Sequence, residues 1–236
     1  MIEVQVKIAR FNPEHGDTKP HYKTYTVEAP LTAKVLDLLH RIKWEQDGSL
    51  AFRRSCAHGI CGSCAMKING VNMLSCEALL ANFRNPKRIT VEPLPSLPVI
   101  KDLVVDQSDF FAKYEIVKPF LITRTKPTST ERLQTPKERE LIGEAVTCIQ
   151  CMACTTSCPS NWKNPHFLGP AAILKSYRYT FDTRDEGASD RLHVMDTADG
   201  VWRCHTIFNC VEVCPKFINL TWHISEMKKR LVSREL

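Results

Sequence analysis

The sequence predicts an α+β fold in two domains: a strand-rich first domain over residues 1–100 and an all-helical second domain over residues 101–236. Three observations predict it. Apolar residues recur at every second position early in the chain and at every third or fourth position from Phe110 onward. Between the two textures stand Pro93, Pro95 and Pro98, a spacing that suits neither a helix nor a central strand and reads as a stiff connector, placing the boundary near residues 95–105. The cysteines divide the same way, with four before the connector and seven from Cys148 on.

Each element has its own reason. Ile2, Val4, Val6 and Ile8 alternate with Glu3, Gln5 and Lys7, the period of a half-buried strand. Tyr22 to Val27 is rich in β-formers and is placed as its partner. Val35, Leu38, Leu39 and Ile42 fall at helical spacing, with Gly48 as the stop. Met66 and Ile68 lead into Asn69-Gly70, a hairpin-turn signal, and Arg88 to Glu92 supplies the last strand. In the second domain, Phe110, Phe111, Tyr114 and Val117 mark a helix that Pro119 ends. Arg124 to Arg139 is polar, carries Pro127 and Pro136, and reads as an extended surface crossing. The final helix places Leu220, Ile224, Met227 and Leu231 on one face, behind Asn219 as N-cap.

The formal charge of +6 is modest and forms no long basic run, which argues against nucleic acid as a partner; a basic face suits an acidic subunit or an anionic membrane surface. No stretch reaches the ~18 consecutive apolar residues of a membrane span, and MIEVQVKIARF does not read as a signal peptide. Eleven cysteines without a secretory signal read as metal ligands before disulfides, and an odd number would leave one unpaired.

Cys56-x4-Cys61-x2-Cys64 with a distant Cys76 is the spacing of a [2Fe-2S] site of plant type. Gly59 and Gly62 lie between the ligands, where the backbone must turn tightly and bring N–H groups to the sulfurs. Arg53 and Arg54, just before the first ligand, are placed either to stabilise a reduced cluster or on a solvated face. Zinc is the main competitor for four thiolates, but its sites pair two Cys-x2-Cys knuckles, which this run does not.

Later come two runs of another pattern, Cys148-x2-Cys151-x2-Cys154-x3-Cys158-Pro159 and Cys204-x2-Ile207-x2-Cys210-x3-Cys214-Pro215. Ile207 stands where the second run needs a cysteine. In two-cluster ferredoxin runs the fourth cysteine ligates the other run's cluster. That exchange predicts a [4Fe-4S] site of Cys148, Cys151, Cys154 and Cys214, and a three-thiolate site of Cys158, Cys204 and Cys210 that suits [3Fe-4S]. A cube completed by water or a non-cysteine ligand is the alternative at the second site. No nucleophile elbow, phosphate loop or dinucleotide fingerprint is present, so no catalytic residue is assigned and the chemistry at both ends falls to partners.

Along its whole length the chain resembles the iron–sulfur subunits of succinate dehydrogenase and fumarate reductase. The resemblance is carried by AFRRSCAHGICGSC, PLPSLPVIKDLVVD, CIQCMACTTSCPSNW, GPAAI, TRDEG and WRCHTIFNCVEVCPK. It implies a plant-type (β-grasp) ferredoxin domain joined to a helical bacterial-type ferredoxin domain. It also implies a flavoprotein partner with covalent FAD that oxidises succinate, and membrane anchor subunits that hold quinone and in some cases haem b. Electrons would run from FAD through [2Fe-2S], [4Fe-4S] and [3Fe-4S] to quinone. The chain would lie on the inner face of the cytoplasmic membrane or the matrix side of the mitochondrial inner membrane. Family quinone-pocket positions carry over to Pro159, Ser160, His205, Ile207 and Lys228, and to Trp162-Lys163, where many ubiquinone-reducing members have Trp-Trp. Cys64, often Asp in bacterial members, is here a full thiolate. The alternatives are a fumarate reductase running in reverse, the subunit of another flavoenzyme, and a metal-stapled binding module without redox work.

Overall fold

The computed structural model describes residues 1–125 and 129–233, so Pro127 lies outside the described residues. The chain forms two compact units, Met1–Gln107 with Ile149–Thr156, and Ser108–Cys148 with Ser157–Leu236.

The first unit is built on a mixed sheet. Its strands are β1 (Ile2–Arg10), β2 (His21–Ala29), β3 (Ala65–Ile68), β4 (Val71–Leu74) and β5 (Arg88–Glu92), in the order β2-β1-β5-β3-β4. β1 and β5 run parallel and the other pairs antiparallel. The period-two pattern is realised: Val4, Val6 and Ile8 are fully buried while Glu3, Gln5 and Lys7 face water. Against that face packs α1 (Val35–Arg41), whose Leu38 and Leu39 join Met66, Ile68, Ile89 and Val91 in one core. The helix runs on through a wider π turn at Ile42–Gln46 and ends before Gly48. Asn69 and Gly70 both take positive φ, as a two-residue hairpin requires, and the Asn69 side chain accepts the Thr90 N–H at 2.7 Å.

After the prolines comes a feature the sequence reading passed over, a small hairpin of β6 (Val99–Lys101) and β7 (Val104–Val105). Its turn holds Asp102, buried and at positive φ. The Asp102 carboxylate accepts Arg10 Nε at 2.9 Å, the Phe11 N–H at 3.0 Å and the Ala51 N–H at 2.8 Å. Leu103 N–H reaches the Ala51 carbonyl, and Arg53 donates to the Val105 carbonyl at 3.1 Å. The hairpin thus pins the segment that enters the first cysteine loop. Arg53 is occupied in this brace.

The remaining helices are α2 (Ser108–Ile116), α3 (Pro136–Gly143), α4 (Ala153–Thr156), α5 (Pro159–Lys163), α6 (Gly169–Thr180), α7 (Ala188–Met195), α8 (Asn209–Glu212) and α9 (Leu220–Ser233). Only α4 belongs to the first unit, where Asn72 Nδ2 donates to Thr156 Oγ1 at 2.9 Å. α3 overturns only the end of the expected extended crossing, from Pro136 to Arg139. Thr135 Oγ1 accepts the Glu138 N–H, Glu138 reaches back to the Thr135 N–H, and Pro136 sits at the first helical position. In the second unit α6 is central, and Tyr177 donates to the Leu141 carbonyl while its ring meets buried His223 of α9.

Asn219 caps α9 as expected: its side chain accepts the Trp222 N–H at 3.1 Å, and its own N–H reaches Glu144 Oε1 at 2.9 Å. Asn219→Ala is expected to cost about 1 kcal/mol. Thermal unfolding of the purified complex checks it, and an unchanged midpoint would mean that the cap contributes nothing. Among the described residues no helix is long and apolar enough to cross a membrane.

Candidate metal centres

The first cysteine loop is shaped by backbone that glycine favours. Ala57, Gly59 and Gly62 all take positive φ between Cys56 and Cys64. The result is a ring of N–H groups: those of His58, Ile60 and Cys61 lie 3.5, 3.4 and 3.3 Å from Cys56 Sγ. Donation from the His58, Ile60 and Cys61 amides holds the Cys56 thiol down to about 6. Cys64 and Cys76 flank the β3–β4 hairpin, joined by the Ser75 N–H on the Cys64 carbonyl at 3.1 Å, and both are buried. Burial, followed by Cys64 beside it, pushes the Cys76 thiol up to about 12. Three amides gathered on the Cys56 sulfur suit a thiolate that shares a cluster's negative charge.

The two glycines differ in what surrounds them. A Cβ on Gly59 would lie 2.0 Å from Glu77 Oε1, the end of a flexible side chain. On Gly62 it would lie 2.7 Å from the Ile149 carbonyl oxygen and 3.0 Å from Cys151 Cβ, where backbone must move. Both substitutions to Ala carry a left-handed penalty of roughly 1–2 kcal/mol. Gly62→Ala is therefore expected to lose more iron from this centre than Gly59→Ala. Iron content and the visible circular dichroism of the purified complex measure it; equal, full occupancy in both would refute the steric account.

The later cysteines divide between the units. Cys151 and Cys154 belong to the first, on a loop with Gln150 and Met152 at positive φ that leads through α4. Cys148 and Cys214 belong to the second.

Cys158, Cys204 and Cys210 all lie in the second unit and line one small, solvent-open cavity. Cys158 precedes Pro159 of α5, Cys210 sits in α8, and Asn209 Nδ2 ties α8 to the Ser157 carbonyl at 3.1 Å. Thr206 and Phe208 adopt positive φ, so the connecting loop folds sharply around Ile207. Burial pushes the Cys210 thiol up to about 11, with the hydrogen bond to Thr221 acting the other way.

Of the positions carried over for quinone, Pro159, Ser160, His205 and Ile207 line this cavity. Trp162 and Lys163 stand exposed on α5, outside the lining. Lys228 is turned to the Cys204 carbonyl, 2.9 Å from its Nζ. The sequence reading missed Phe167, Pro170, Phe208 and Thr221 among the lining residues. Thr221 had a signal, a hydroxyl beside the apolar stripe of Leu220 and Ile224; the others had none.

A mixed-sheet module and a helical module carrying three cysteine motifs define an iron–sulfur electron-transfer protein. The family model described as a 2Fe-2S iron-sulfur cluster binding domain matches residues 5–112, and the 4Fe-4S dicluster domain matches residues 140–215. The chain is 43% identical over 241 residues to succinate dehydrogenase (ubiquinone) iron-sulfur subunit 3, mitochondrial, of Arabidopsis thaliana, covering all of this chain and 77% of that protein. It is 44% identical over 226 residues to the rice subunit 1, covering 94% of this chain and 80% of that one. A chain of the Mycobacterium smegmatis Sdh1 complex in the apo form superposes with a TM-score of 0.86 at 28% identity, over 99% of this chain and 97% of that one. A hypothetical protein from Helicobacter pylori shares the fold at 18% identity and a TM-score of 0.62, over all of this chain and 41% of that one. The chain belongs to the family of succinate dehydrogenase iron–sulfur subunits. It is the electron-transfer subunit of a succinate:quinone oxidoreductase, with a plant-type ferredoxin module followed by a helical one.

Proposed function

We propose that this chain carries electrons from the FAD of a succinate-oxidising flavoprotein subunit to quinone bound with membrane anchor subunits. In this reading Cys56, Cys61, Cys64 and Cys76 hold [2Fe-2S], and Cys148, Cys151, Cys154 and Cys214 hold [4Fe-4S]. Cys158, Cys204 and Cys210 hold [3Fe-4S], and the domains divide as residues 1–100 and 101–236. When bound, the clusters supply one-electron relays in that order. The chain's own part is to supply the thiolates, to aim amides at sulfur, and to keep the terminal site open on one side.

The single observation that carries the reading is Ile207. It stands in the sequence register of the missing ligand and lines the three-cysteine cavity, and its hydrocarbon side chain offers no donor to a fourth iron. His205, on the same loop, has an imidazole suited to hydrogen-bond a quinone oxygen, with Ser160 beside it in the lining. Trp162, Lys163 and Lys228 belong to this quinone region by resemblance. The mitochondrial names of the relatives support a peripheral position in such a membrane-associated complex; the matrix side of the inner membrane, or the inner face of a cytoplasmic membrane, is what the family resemblance implies.

Low-temperature EPR of the purified complex tests it, as isolated and after succinate. An oxidised [3Fe-4S] signal that disappears with succinate while a [2Fe-2S] signal grows is the expected result. Clusters that do not respond to succinate would remove the proposed donor. An oxidised complex with no [3Fe-4S] signal would remove the three-thiolate assignment.

A further inference from the structure

Two polar side chains on one face of α9 each engage a different cysteine of the terminal site. Thr221 is buried, lines the cavity and has its Oγ1 3.9 Å from Cys210 Sγ. Lys228, close to two helical turns later, donates from Nζ to the Cys204 carbonyl at 2.9 Å. Either partner can donate in the Thr221–Cys210 contact while the thiol keeps its proton. Once Cys210 ligates iron it is a thiolate, and the Thr221 hydroxyl must be the donor.

We infer that α9 sets the reduction potential of the terminal centre, with Thr221 and Lys228 as positioning residues that act through Cys210 and Cys204. The inference rests on the three-thiolate reading above. A one-electron reduced centre carries one more negative charge than the oxidised one. A hydroxyl dipole on a ligand sulfur and a cation on a ligand's carbonyl both favour that form and raise the potential. Lys228 has a second effect. The loop from Cys204 holds Thr206 and Phe208 in left-handed backbone, a conformation that persists only where its surroundings hold it. The Lys228 contact anchors the start of that loop, and with it His205 and Ile207.

The test is an EPR redox titration of the purified complex, comparing wild type with Thr221→Val, Thr221→Ser, Lys228→Met and Lys228→Arg. At a fixed ambient potential, the reduced-to-oxidised ratio of the [3Fe-4S] signal is expected to fall roughly three- to tenfold in Thr221→Val and Lys228→Met, the size of one lost hydrogen bond. It should return toward wild type in Thr221→Ser and Lys228→Arg, which keep a donor. Unchanged ratios in Val and Met overturn the inference. Loss of the cluster in Thr221→Val with retention in Thr221→Ser supports it; loss in both shows a packing position and overturns the role of the hydroxyl. A wild-type complex without the signal fails the three-thiolate reading instead, so the two failures are distinct.

Discussion

Arg191→Ala is expected to destabilise the helical unit by about 3–5 kcal/mol, the cost of leaving one member of a buried ion pair uncompensated. Arg191 and Asp185 form such a pair, with Nη1 to Oδ1 at 2.6 Å and both side chains fully buried. The guanidinium does more than neutralise. Nε donates to the Val117 carbonyl at 3.1 Å, and Nη2 donates to the carbonyls of Lys118 at 3.0 Å and Phe120 at 2.8 Å. Asp185 in turn accepts the Ile122 and Gly187 N–H groups, so one pair fastens residues 117–122 to the α6–α7 connection. A Cβ on Gly187 would stand 2.5 Å from Ile122 Cδ1 and 2.9 Å from Arg191 Nη1, so a side chain there would have to displace one of them. Removing the arginine leaves the Asp185 charge uncompensated and takes a donor from three carbonyls at once. In a chain of this size each kcal/mol moves the midpoint roughly 2–4 °C, so thermal unfolding of the purified complex reads the effect directly. Arg191→Lys keeps the charge but not the fork and should fall between. If Arg191→Ala unfolded within a degree of wild type, the pair would be packing alone.

That network shows which part of the molecule was legible in the sequence. The strands were, because one buried face forces alternation: Val4, Val6 and Ile8 could point only one way. The cysteine motifs were legible because most of the cysteines recur at short, fixed intervals of chain, with Cys76 the distant member of the first motif. The β6–β7 hairpin was not, since strands of three and two residues carry no period, and its reason is the single buried carboxylate of Asp102. α3 was hidden for a different cause. Its capping box of Thr135 and Glu138 is visible in the sequence, but the polar composition around it outweighed a local signal. Contacts such as Lys228 with Cys204, or Arg191 with Val117, join residues far apart in the chain and leave no local mark.

The terminal site offers the sharpest test of how a single side chain sets function. Ile207→Cys restores the regular spacing and puts a thiol on the loop that runs from Cys204 and His205 to α8, which carries Cys210. The expected result is a fourth iron at this centre: the oxidised [3Fe-4S] EPR signal disappears and a cube signal appears in the strongly reduced sample. The variant should leave succinate oxidation by an artificial acceptor at the flavoprotein intact, because nothing there is changed. Quinone reduction should fall steeply, since replacing a three-iron centre by a cube at the end of the path moves its potential downward. Each ~59 mV of that shift is a tenfold change in a one-electron equilibrium. Ile207→Val controls for shape, keeping an apolar, ligand-free corner, and should retain both the signal and the activity. The outcome separates two roles for position 207. A [3Fe-4S] signal that persists in Ile207→Cys, with the thiol free to alkylation, would place the side chain on the cavity rim as a contact for quinone or an anchor subunit. Conversion to a cube would mean that an apolar residue was kept at this corner to exclude the fourth iron.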